Sequence, residues 1–165
     1  MIQAWCDPIP YDLSRTRCRA SVPREFSKSV PETPGTYVIY RIGQANTCGA
    51  IIDIGEAGPR PNSAPKGLRG RLASTVAHSA SERIAADMND GRLPNELCMV
   101  WVERRSKEDA KQLQNALISL FRQECGHQPR YNRKLEEHPE PEAFLPLYAA
   151  LKRHIGCLAR RPTTR

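Results

Sequence analysis

Phosphoester hydrolysis requires a deprotonated water, relief of the charge that builds on a pentavalent transition state, and help for the leaving oxygen. Five ordered pieces of this 165-residue chain hold side chains of those kinds. They are Gly-Thr-Tyr-Val-Ile-Tyr at 35–40, Ile-Asp-Ile-Gly-Glu-Ala at 52–57, Leu-Arg-Gly-Arg-Leu at 68–72, Leu-Gln-Asn-Ala-Leu-Ile at 113–118 and Pro-Arg-Tyr-Asn at 129–132. The Tyr37 phenol, ordinarily at a pKa of about 10, is a poor base unless cations lower it, and Arg71 with a bound divalent metal could supply that push. A planar guanidinium can also hold two phosphate oxygens at once, which suits it to the transition state. Asp53 can bind a metal or accept a proton. On a strand its charge is expensive if buried, so it must be paired or belong to a wet site. Glu56 adds a second carboxylate, and two acids beside a phosphate make sense only with a cation present.

The elements that must position these groups follow from periodicity. Residues 36–42 and 50–54 are β-branched and aromatic runs, and the Gly and Asn between them at 43–49 predict a hairpin. Alternation puts Tyr37 on the face of Ile39, and Asp53 on the face of Ile51 and Gly55. A Pro/Asn/Ser loop over 58–66 precedes a helix over 67–79, with Leu68, Leu72 and Val76 at helical spacing, and a second helix over 81–88. Residues 97–103 form a third strand, apolar enough throughout to sit centrally, with Cys98 as a small buried hydrophobe. Ser106 starts a helix in a capping-box pattern with Asp109; Ala110, Leu113, Leu117 and Phe121 are its apolar stripe and Gly126 its stop. A last helix spans 145–158, with Leu147, Leu151, Ile155 and Leu158 on one face. The expected fold is therefore α/β: a small three-stranded, largely antiparallel sheet flanked by helices. Residues 1–34 form a basic Pro/Ser/Arg-rich arm with a short helix over 12–20, carrying Arg15, Arg17, Arg19, Arg24 and Lys28. Residues 133–165 form a linker, the C-terminal helix and a basic tail.

The order and spacing of the five pieces over 35–132 resemble the GIY-YIG nucleases. The resemblance implies that fold, with the N-terminal arm and extra C-terminal helix outside it, and a metal-dependent endonuclease activity using Mg²⁺ or Mn²⁺. It places Tyr37, Arg71 and Asn132 in catalytic and supporting roles, with Asp53 standing where relatives have a second tyrosine. Gln114 occupies the position of the glutamate that binds the metal. An amide keeps the shape and one oxygen but loses the charge that holds a hard cation. Either the domain is degenerate and only binds, or the chain is an inactivated form of an active enzyme. Restriction or phage defence would suit such a compact nuclease, by analogy.

A net charge of +7 and a pI near 9.3 favour a polyanionic partner, since Lys and Arg release counterions when they meet phosphates. The expected partner is DNA, with RNA left open, contacted by Arg60, Lys66, Arg69 and His78. His78 also fits a helix-end residue. A double-strand cut would need two sites, hence a homodimer or two successive nicks. A basic scaffold for protein partners is a third reading. The six cysteines lack metal-ligand spacing, and with no signal-type segment in view a reducing cytoplasm without disulfides is expected. No run is long enough to cross a bilayer.

Overall fold

The computed structural model describes residues 4–44, 46–59, 66–73, 78–134 and 137–159, the last three without their side chains. Five strands form one sheet in the order β2-β1-β5-β3-β4. They are β1 (Ile9–Leu13), β2 (Ala20–Ser21), β3 (Gly35–Arg41), β4 (Ile51–Ala57) and β5 (Leu97–Glu103), and every neighbouring pair is antiparallel. The α/β class is as expected, but three strands was an underestimate. The N-terminal segment supplies the other two: Ile9, Pro10 and Tyr11 pair with Met99, Cys98 and Leu97, and a hairpin adds β2 beyond. Pro10 has no N–H to give to a ladder. However, β2 pairs only with Asp12 and Leu13, so around Pro10 the outer side of β1 has no strand beside it and no N–H is needed there. The helix expected over 12–20 is instead the end of β1, a turn and the start of β2.

β3 and β4 are joined by α1 (Thr47–Ala50), capped by the Asn46 side chain, rather than by a tight hairpin. Cys48 on α1 is disulfide-bonded to Cys125, at the end of α4 (Lys107–Cys125), across 77 residues. The expectation of unpaired thiols is thereby corrected; the spacing lies far outside any local motif, and only the fold brings the two together. Leu113, Leu117 and Phe121 of α4, with Leu151 and Ile155 of α5 (Leu145–Ala159), cover Val38, Tyr40, Ile54, Val100 and Val102 on one face of the sheet. The other face carries Tyr37, Ile39, Met99 and Trp101. It is covered by Leu68 and Leu72 of α2 (Gly67–Leu72) and by Ile84 and Met88 of α3 (Ser79–Asn89). Among the described residues, no helix is long and apolar enough to cross a membrane.

Candidate active site

The α2 face gathers the polar groups. Tyr37 lies on β3 directly opposite Gly55 on β4, and its ring fills the space a side chain at 55 would take: a Cβ there would fall on the ring itself. The glycine is what lets a tyrosine ring lie flat across the neighbouring strand. Gly35, two residues before Tyr37 on β3, does similar work, admitting Leu68 so closely that α2 rests on the strand. Backbone bonds from Leu68 N to Thr33 O (3.0 Å) and Arg69 N to Pro31 O (2.9 Å) fix the start of α2. Arg71, on the last turn of that helix, is thereby turned over the sheet, and its Nε donates a long hydrogen bond of 3.4 Å to the Tyr37 hydroxyl.

Asp53 lies on the same face, 3 % exposed, and its Oδ2 has no hydrogen-bond partner among the described residues. Burial pushes its carboxyl up to about 7, against the opposing pull of Arg71 and Arg83. The Tyr37 phenol moves the opposite way from expectation. Burial and the Asp53 charge outweigh Arg71 and push it up to about 12, so it stays protonated near neutrality. Burial works against the Arg71 charge, yet Tyr37, Asp53 and Glu56 more than compensate and raise its pKa. One expected neighbour of Asp53 is absent. A register shift opposite Ile39 and Tyr40 inserts an extra residue in β4, so Ile51 joins the α4 core while Ile52 joins the α2 side.

Asn132 and Gln114 meet elsewhere, on the backbone of Ile54. The Asn132 amide closes a two-point clamp, with Oδ1 accepting from Ile54 N at 3.0 Å and Nδ2 donating to Ile54 O at 2.6 Å. Tyr131 N donates to Ile52 O at 3.0 Å. The 131–132 segment therefore satisfies the outer edge of β4, which no strand covers. Asn132 positions the strand that carries Asp53 and Gly55, and no bond links it to Tyr37 or Arg71. Gln114 Nε2 donates to the same Ile54 carbonyl at 3.4 Å.

These donors fit magnesium poorly. Gln114 is neutral and turns its N–H donor to a carbonyl that Asn132 already occupies. Glu56 pairs with Thr36, whose hydroxyl bonds Ala110 O on α4, whereas Asp53 faces α2. Asp53 and Glu56, each with an orphaned carboxylate oxygen, thus start from opposite faces of β4 although both charges act on Arg71, and a hard dication needs its charged ligands converging.

The expected phosphate contacts divide. Lys66 is exposed at the N-cap of α2. Arg69 is occupied: Nε bonds Val30 O, Nη1 pairs with Glu32 at 2.7 Å and Nη2 reaches Lys28 O. It fastens the 28–32 segment to α2 rather than facing a ligand. His78 caps α3 in a reciprocal pair with Ser81. Arg60 lies outside the described residues. Sequence reasoning missed Arg83, which stacks on Tyr131 with 5.2 Å from its carbon to the ring centroid, donates to the carbonyls of Tyr131 and Arg130, and acts on Asp53. No pattern marked it, because α3 and the 130–132 segment meet only in the fold. Asp87 binds the same segment, accepting from Arg130 and from the Tyr131 hydroxyl, each at 2.6 Å. Comparison with protein-family models, curated proteins and solved structures found no match.

Proposed function

We propose that this chain is an endonuclease-type domain of the GIY-YIG kind, acting on the phosphodiester backbone of DNA. The observation that carries this reading is the Arg71–Tyr37 contact over Gly55, beside a buried Asp53 with an unpartnered oxygen. Arg71 would hold the non-bridging oxygens of the phosphate and offset the charge of the transition state. Tyr37, protonated, would donate a hydrogen bond to the phosphate or to the leaving oxygen. Asp53, with its carboxyl near 7, is suited to accept the proton of the attacking water as that oxygen bonds to phosphorus and the P–O bond to the leaving group breaks. Asn132 would hold β4, and with it Asp53, in register.

Gln114 favours a second reading, in which the same architecture binds nucleic acid without cutting it. One substitution separates the two. Gln114→Glu puts a carboxylate at that position, and with Mg²⁺ or Mn²⁺ it is expected to raise nicking of supercoiled plasmid by about 10³-fold, equivalent to roughly 4 kcal/mol of barrier. Tyr37→Phe in the same background should abolish the gain. Nicking by Gln114→Glu no greater than that of the Tyr37→Phe control, on DNA and RNA alike, would leave the binding module.

A further inference from the structure

The β1–β2 hairpin lies apart from the Tyr37–Arg71 site and carries Ser-Arg-Thr-Arg-Cys-Arg over 14–19. Ser14 N bonds Arg19 O at 2.9 Å and Arg17 N bonds Ser14 O at 2.8 Å, closing the turn. Arg17 holds a φ of 56°, a left-handed conformation that a residue with a Cβ adopts only when its surroundings enforce it. Here the enforcement is a reciprocal clamp. Arg17 Nε donates to Asn89 Oδ1 at 2.9 Å, and Asn89 Nδ2 donates back to Arg17 O at 2.7 Å. Arg15 and Arg17 are both exposed, and with Ser14 and Asn95 they line an open cavity of about 400 Å³. Asp12 also lines it, with Oδ1 accepting from Leu13 N, and its single negative charge is outnumbered by the two guanidinium groups. A polar concavity with two guanidinium groups at its rim suits a phosphate-bearing chain.

We infer that this hairpin is a second backbone-binding surface, where Arg15 and Arg17 hold the phosphates of the nucleic-acid strand that enters the Tyr37–Arg71 site. The inference rests on the function proposed above. α3 links the two places. Asn89 anchors the hairpin at the end of that helix, and Arg83, which acts on Asp53, lies six residues earlier.

The test is fluorescence-anisotropy titration of a 20-base-pair DNA and its single strand across a salt series. The unaltered chain is compared with Arg15→Ala/Arg17→Asn and with Arg153→Ala. Asn tolerates the left-handed backbone, and Arg153 is an exposed cation on α5, across the sheet; thermal melts check that each variant folds. Losing two phosphate contacts should flatten the slope of log K on log salt by about 1.8 and weaken binding at 0.1 M salt roughly tenfold or more. Arg153→Ala should move the slope by far less. Asn89→Ala, which keeps both charges but frees the hairpin, should weaken binding about two- to threefold with the slope unchanged. Equal slopes for the hairpin variant and the unaltered chain, or an equal loss with Arg153→Ala, overturn the hairpin surface while the site reading stands. No binding by the unaltered chain at low salt overturns both.

Discussion

On the α4 face of the sheet, Val38, Tyr40, Ile54, Val100 and Val102 meet the apolar stripe of α4, and the Cys48–Cys125 bridge ties the edge of that layer shut. On the α2 face, Tyr37, Ile39 and Trp101 share their layer with Asp53 and the half-buried Arg71. Both carboxylates that are buried among the described residues, Asp53 and Asp87, are tied to this second side through Arg71, Arg83 and Tyr131. Because side chains alternate across a strand, neighbouring residues enter different layers: Val38 packs against α4 and Tyr37 faces Arg71; Ile54 packs and Asp53 can titrate. Both faces carry an apolar core, but the buried carboxylates lie on the α2 side.

The contrast breaks most visibly in the α4 core. Phe121→Ala is expected to cost about 3–5 kcal/mol in urea unfolding, whereas Tyr37→Phe, which removes one long hydrogen bond, should cost no more than about 1 kcal/mol. Comparable losses from the two would mean that Tyr37 is a core residue first.

Asp53 offers a sharper probe through pH. Its folded carboxyl titrates near 7, against 3.8 when free. A raised acid favours the protonated folded form, so its contribution is complete below about pH 4 and lost as pH rises through about 7. The difference amounts to roughly 4 kcal/mol at most. Arg71 on α2 and Arg83 on α3 are the charges that face it. Asp53→Asn should remove this slope and leave the protein more stable than the unaltered chain at pH 8. Identical stability–pH curves over pH 4–8 would show that Asp53 is not the buried acid described.

The smallest change tests the link between packing and site. Gly55→Ala places a Cβ on the Tyr37 ring and should cost about 1–3 kcal/mol by overpacking. It should also shift the near-ultraviolet tyrosine signal as the ring leaves Arg71. A silent Gly55→Ala would mean that the ring does not lie where the site requires it.

The sequence alone determined the elements with strong local signals. Residues 97–103 form the central strand, Ser106 caps α4 by accepting from Asp109 N, and Gly126 ends that helix at a φ of 75°. It also singled out Tyr37 and Arg71, through the order and spacing of five pieces over 35–132 rather than any one of them, and the two side chains meet. Tertiary structure decided the rest. Whether β1 and β2 join the sheet depends on an open flank of β5, which no local pattern reveals. The Cys48–Cys125 pair, the placing of Arg83 by Tyr131 and the Asn132 clamp on Ile54 join residues 77, 48 and 78 positions apart. The raised pKa values of Tyr37 and Asp53 likewise came only with the fold, because desolvation belongs to the assembled interior and outweighs the arginine charges that oppose it.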